Sequence, residues 1–254
     1  MADMELIDRA DALAAAQACA ERLRTQFGAR QVIIFGSATG STPWHSRSDI
    51  DLAVEGLAPE LFWKAWADLE DLLPPGLSVD LIPLETAGPA LRARIMGEVS
   101  MPADPVERLK GLTADELASL ERIARAAEAG LAHLPDEPLQ LELRGLASYV
   151  HEFYTGIEGI FERIAVELGE GLPQGEYWHV DLLNQMAEMQ PGRRPAVIDE
   201  PLRARLRDYL RFRHFFRYAY DYQVEWKKLQ PLVEDMPDVL TQLKAQIEAF
   251  LTEL

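Results

Sequence analysis

The sequence predicts an α+β chain in which a small mixed sheet with its helices is followed by an all-α up-and-down helical bundle. Short β-branched runs alternate with helical periodicities over roughly the first 100 residues, and no run of strand type follows Met101-Pro102-Ala103-Asp104-Pro105. Beyond that point apolar residues recur every three or four positions, as in helices that bury one face in a bundle. The break falls near residues 101–112 and divides the chain into expected domains 1–104 and 105–254.

In the first half, Leu13, Ala16, Ala20, Leu23 and Phe27 lie at helical spacing among charged residues, giving an amphipathic helix from Ile7 to Phe27. Val32 to Phe35 is a short apolar run ended by Gly36-Ser37, and Ile50 to Val54 and Leu77 to Leu81 read as two further strands. Between the last two, Pro59 to Leu73 carries Leu61, Phe62, Ala65, Trp66 and Leu69 on one helical face and is stopped by Pro74-Pro75-Gly76. This pattern covers one face of a small sheet.

In the second half, Thr113-Ala114-Asp115-Glu116 has the form of a capping box before Leu117, Leu120 and Ile123. Leu143, Leu146, Val150, Phe153, Ile157, Ile160 and Ile164 form the stripe of a second helix, and Gly169, Gly171, Pro173 and Gly175 its exit loop. Further helices are expected from about Tyr177 to Met189, Pro201 to Tyr220 and Pro237 to Leu254.

Composition narrows the function. The chain has 254 residues, 25 Lys and Arg against 42 Asp and Glu, and a formal charge of −17, which disfavours non-specific binding to a phosphate backbone. The lone Cys19 excludes an intrachain disulfide and a cysteine-cluster metal site and suits a reducing cytoplasm. No continuous apolar stretch is long enough to cross a membrane, and the acidic N-terminus (Asp3, Glu5, Asp8) lacks the basic region of an export signal. A cytoplasmic protein without membrane contact is expected.

The chemistry concentrates in Ile33-Ile34-Phe35-Gly36-Ser37, Ser48-Asp49-Ile50-Asp51-Leu52 and Val79-Asp80-Leu81. Side chains alternate along a strand, so Asp49 and Asp51 leave one face while Ile50 and Leu52 enter the core. If the strands are neighbours, Asp80 points to the same spot. Three crowded carboxylates repel one another and acquire raised pKa values unless a cation is present. Hard oxygen ligands favour Mg²⁺ or Mn²⁺, and Mg²⁺ is commonly held by carboxylates together with substrate phosphates. Gly36 allows close approach of backbone to a phosphate, and Ser37 can donate through its hydroxyl and N–H. The other reading of these residues is a solvated strand face and a simple turn.

The order of these elements, Gly-Ser, roughly 11 residues, Asp-x-Asp and a further aspartate about 30 residues on, resembles the DNA polymerase β-like nucleotidyltransferase superfamily. Within it, IIFGSATG, SRSDIDLAV and SVDLIPL look most like minimal nucleotidyltransferase (MNT) antitoxin domains, over about residues 30–100. The resemblance implies a site in which Asp49 and Asp51 hold the metals, Asp80 binds one and helps deprotonate the acceptor, and Gly36 and Ser37 hold the triphosphate of ATP. Many relatives carry a basic residue soon after Gly-Ser, whereas here Ala38-Thr39-Gly40 follows, so phosphate charge must be offset from elsewhere. Arg47 is the candidate, with a solvated loop arginine as its alternative. Trp44 is placed either to stack on a base or to cover the loop, and His45 is expected to be exposed.

A second resemblance covers about residues 113–254, where SYVHEFYTGIEGIFERIAVEL and DYLRFRHFFRYAYDY look like HepT-like HEPN helical domains. Those domains are ribonuclease toxins with an Arg-x4-His-x-Tyr motif and commonly act as dimers. Arg213 takes the arginine place and Tyr220 the final tyrosine, but Tyr218 stands where histidine is expected. A phenol with pKa near 10 is a poor general base at neutral pH, so ribonuclease activity is not expected unless His214, with Arg207, substitutes. In related two-gene systems the MNT enzyme transfers AMP from ATP onto the motif tyrosine of its HEPN partner. The resemblance therefore implies a Mg²⁺-dependent adenylyltransferase of the toxin–antitoxin type, acting on a HEPN toxin protein or on itself with Tyr220 as acceptor candidate and Tyr218 and Tyr222 behind it, and a homodimer formed through the helical half. Aminoglycoside-type adenylyltransferases join similar domains and give the alternative reading; a HEPN ribonuclease or regulator is another.

The helix from Pro201 also carries Arg203, Arg205, Arg207, Arg211 and Arg217, which are read either as a solvated face or as contacts to RNA, nucleotide phosphate or the acidic strands. Phe212, Phe215, Phe216 and Ala219 are expected to face the core, and His133, His151 and His179 to be structural.

Overall fold

A computed structural model describes residues 7–218 and 223–254 and divides the chain into two compact units, Met1–Pro102 and Ala103–Leu254. Together a small mixed sheet in the first and a helical bundle in the second make the chain α+β.

The first unit runs α1 (Arg9–Gln26), β1 (Gln31–Phe35), β2 (Ile50–Glu55), α2 (Phe62–Glu70), β3 (Val79–Pro83) and α3 (Pro89–Ile95). Asp8 caps α1 by accepting the Asp11 N–H at 2.8 Å, which satisfies one of the donors a helix start leaves open. The sheet order is β1-β2-β3, with β1 antiparallel and β3 parallel to β2. The period of two sends Ile50, Leu52 and Val54 of β2 to one face, where they pack with Cys19, Ala20 and Leu23 of α1 and Ala65 and Leu69 of α2. Burial pushes the Cys19 thiol up to about 11, which leaves it a small unreactive core residue. The opposite face is also covered in part: Ala53, Leu84 and Ile95 form a small cluster with Ile33, Phe35 and Leu91. The expectation of one covered face is thus incomplete, because the short helix α3, opened by Gly88-Pro89, folds onto the second.

The second unit comprises α4 (Pro105–Ala132), α5 (Gln140–Glu167), α6 (Trp178–Ala187), α7 (Glu200–Tyr218) and α8 (Trp226–Glu253). Helix α5 packs against the other four, and its stripe Leu143, Leu146, Val150, Phe153, Ile157, Ile160 and Ile164 is buried throughout. Two expected helix starts shift. The Thr113–Glu116 sequence is no cap, since α4 begins at Pro105 with Asp104 accepting the Glu107 N–H at 2.9 Å, and Thr113 is buried inside it. An N-cap Asp, Pro at the first position and an acidic first turn outweigh a box formed one turn before an apolar run. Helix α8 begins eleven residues before Pro237 and carries both Pro231 and Pro237 internally. Each proline removes a backbone hydrogen bond at a cost of about 3 kcal/mol in an isolated helix, but Leu229, Val233, Met236, Leu240, Leu243 and Ile247 bury one continuous face across them.

Buried ion pairs tie the loops of this unit. Arg194, fully shielded, pairs with Glu170 and donates to the carbonyl oxygens of Gln185 (2.9 Å), Glu188 (3.0 Å) and Pro195 (2.9 Å). One guanidinium thereby joins the glycine-rich exit loop of α5 to the end of α6. Among the described residues, no helix is long and apolar enough to cross a membrane.

Candidate functional site

The sheet register builds the acidic site. Phe35, the last residue of β1, faces Asp51 across the antiparallel pair, and Asp51 faces Asp80 across the parallel pair. The chain leaves β1 at Gly36 with φ +69° and ψ −154°, a region that side chains avoid. A Cβ built there lies 1.9 Å from Asp51 Oδ2, so this turn and that carboxylate occupy the space together only because residue 36 is glycine. Gly36 then begins a tight loop: its carbonyl accepts from the Thr39 hydroxyl (2.8 Å), the Ser41 hydroxyl (2.7 Å) and the Thr39 N–H (3.2 Å). Ser37 opens the 3-10 turn Ser37–Thr39, whose first N–H groups have no acceptor within the turn.

All three aspartates Asp49, Asp51 and Asp80 are raised above the ordinary carboxylate range. Desolvation and the charges of Asp49 and Asp80 push Asp51 up to about 7. Asp49 is raised by desolvation and by Asp80, against a lowering hydrogen bond to its own backbone, and Asp80 is raised by desolvation. Among the described residues, no three His, Cys, Asp or Glu side chains are grouped so as to hold a metal ion. The donor chemistry fits a hard divalent cation: three carboxylates on adjacent backbone segments, with a turn that a Cβ would fill.

The pKa directions have a stability consequence. Between about pH 4 and 7 the unfolded chain ionises Asp51 while the folded chain keeps its proton, so the folded state binds more protons and stability falls as pH rises through this window. A divalent cation that holds the ionised form offsets the loss. Hydrogen exchange of the β2 amides should therefore show little effect of millimolar Mg²⁺ at pH 5 and clear protection by it at pH 8. Protection of equal size at both pH values would contradict this.

Around this centre the residues of the 41–48 loop take definite places. Trp44 covers the loop, its indole N–H donating to the Ile7 carbonyl at 2.9 Å. His45 is half-buried, contrary to expectation: its Nδ1 accepts the Arg47 N–H at 3.2 Å, and burial followed by the Arg47 charge lowers its pKa. Arg47 is half-buried beside it rather than extended into solvent.

In the second unit the expected motif arginine is internal. Arg213, 8% exposed, pairs with Glu158 Oε2 at 3.0 Å, and His179 Nδ1 meets Glu158 Oε1 at 2.6 Å. The Arg213 Nη1 lies 3.4–3.5 Å from both ring nitrogens of His179, and its Nε donates to Thr155 Oγ1 at 3.4 Å. This network joins α5, α6 and α7. Glu158 and His179 were not singled out as a pair by the sequence, although a lone glutamate beside Ile157 in an otherwise apolar stripe is the available signal. His214 is exposed on α7, and Phe215 is 38% exposed rather than core, while Phe212 is buried. Arg203, Arg205 and Arg211 pair with Glu200, with Asp235 and Asp238, and with Asp208. Much of the arginine-rich helix is thus neutralised by its own chain. Tyr220, Tyr222 and Ala219 lie outside the described residues, as does the side chain of Tyr218, which ends α7.

Residues 145–254 match a family model described as HepT-like protein. The match runs from within α5 through α8 and contains Glu158, His179 and Arg213. No curated protein and no solved structure matches the chain.

Proposed function

We propose that the chain is a divalent-cation-dependent nucleotidyltransferase that moves AMP from ATP to a hydroxyl, with its helical half belonging to a toxin–antitoxin system. The observation that carries this reading is the register Phe35–Asp51–Asp80 with Gly36 against Asp51. Asp49, Asp51 and Asp80 would hold Mg²⁺ or Mn²⁺, which when bound would neutralise the phosphates and make the α-phosphorus more electrophilic. Ser37 and the N–H groups opening its turn bind phosphate oxygens. The acceptor oxygen attacks the α-phosphorus, the bond from that phosphorus to the oxygen bridging to the β-phosphate breaks, and pyrophosphate leaves with the electron pair. Asp80, exposed at the edge strand and raised by desolvation, takes the acceptor proton.

The HepT-like match supports a tyrosine of such a domain as acceptor, on a separate HEPN toxin or on Tyr220 of this chain or of a second copy. The engagement of Arg213 with the buried Glu158 supports a helical half that receives or docks the acceptor over one that cuts RNA, because a neutralised internal guanidinium is not presented to a phosphodiester. Incubation of the full chain with Mg²⁺ and α-phosphate-labelled ATP, alone, with a HEPN toxin or with an aminoglycoside, tests the reaction and separates the acceptors. Label on a protein tyrosine, lost in Asp49→Asn, is the expected result. Label on the aminoglycoside alone would transfer the assignment to a drug-modifying enzyme, and no transfer in any arm would overturn the reading.

A further inference from the structure

The Gly36–Gly40 loop carries a carboxylate at one end and a cation at the other. At Gly40, where φ is +84°, a Cβ would lie 2.7 Å from Arg9 Nη1, 3.3 Å from Cζ and 3.8 Å from Nη2. The guanidinium therefore rests against the bare Cα of Gly40, as Asp51 rests against that of Gly36. Two further features hold Arg9 there. Helix α1 is anchored by the fully buried Ala12 and Ala16, and the Trp44 indole fixes the Ile7 carbonyl, two residues before Arg9, to the neighbouring loop. Arg9 has no carboxylate partner among the described residues, in a chain of net charge −17.

We propose that Arg9 is the phosphate-binding cation of this site: it holds the polyphosphate of the nucleotide across the Ser37–Gly40 turn, in the role left open by Ala38-Thr39-Gly40. The inference rests on the nucleotidyl-transfer reading and adds to it a cation for the polyphosphate. A planar guanidinium presents paired N–H donors to two phosphate oxygens, and Arg9 stands at the Gly40 end of the loop whose Gly36 end meets Asp51. Helix α1 thereby acquires a role besides packing on the sheet.

Equilibrium binding of ATP and of adenosine to the full chain in Mg²⁺, for wild type, Arg9→Ala and Arg9→Lys, tests this. Arg9→Ala should weaken ATP binding about 10–100-fold while leaving adenosine affinity and thermal stability unchanged, and Arg9→Lys should recover part of the loss. Equal ATP affinity in wild type and Arg9→Ala, or an equal loss for ATP and adenosine, would overturn the role of Arg9 while the wider reading stands. Wild type that binds neither ligand would overturn both.

Discussion

Asp51→Asn should remove the proposed nucleotidyl transfer and at the same time make the ligand-free protein more stable at pH 8. The two effects have one cause. Asp51 is the carboxylate that the sheet places between its neighbours: it is desolvated, flanked by the charges of Asp49 and Asp80, and raised to about 7. Above that pH the folded chain must keep an anion it disfavours, and a neutral amide of the same shape relieves the strain, by about 1–3 kcal/mol when the shift is discounted for coupling to Asp49. In the proposed enzyme the same substitution would take away a charged oxygen ligand, and transfer should fall by about 10²–10³-fold or more. A gain in stability that accompanies a loss of activity is the mark of a group retained for function at a structural cost. Thermal unfolding at pH 5 and pH 8, with and without Mg²⁺, beside the labelled-ATP assay, measures both. Destabilisation at pH 8 with unchanged transfer would assign Asp51 a structural role.

Gly36→Ala should be nearly as damaging, and Gly28→Ala separates the reasons. Both glycines have positive φ, +70° at Gly28 and +69° at Gly36, so an alanine at either strains the backbone by about 1–3 kcal/mol. A Cβ at Gly28 meets nothing within 4 Å, whereas at Gly36 it meets Asp51 Oδ2 at 1.9 Å and Cγ at 2.7 Å. Asp51 must then turn away, and a carboxylate displaced by about 1 Å no longer serves its ligand; a loss of about 10²-fold follows. The expected pattern is destabilisation in both variants, larger in Gly36→Ala because of the overlap with Asp51, with transfer lost only in Gly36→Ala. Equal retention of transfer in both would detach Gly36 from the site.

How much of this was legible in the sequence depended on the range of the interactions involved. The alternation Asp49-Ile50-Asp51-Leu52 follows from a period of two in one strand, and Ile50 and Leu52 are buried accordingly. The bundle stripe of α5 follows from the helical period in the same way. The misplaced starts of α4 and α8 arose where two local signals competed: Asp104-Pro105 overrode Thr113–Glu116, and burial of Leu229, Val233 and Met236 carried a helix through two prolines. Arg9 was not legible, because nothing in its neighbours shows that the start of α1 lies on Gly40; that contact exists only once the sheet and helix have packed. Arg213, Glu158 and His179 come from three helices: Arg213 stood out in the sequence only as a motif arginine and the other two as ordinary polar residues, and the burial that turns them into a charged network is a property of the bundle.

In the proposed enzyme Asp49, Asp51 and Asp80 share a cation beside Gly36. Crystals of the full chain grown with Mn²⁺ and a non-hydrolysable ATP analogue, measured for anomalous scattering, show this directly. An anomalous peak bounded by the three carboxylates, with the analogue's phosphates over Ser37, is the predicted result; a peak elsewhere, or ordered nucleotide bound away from these aspartates, would contradict it.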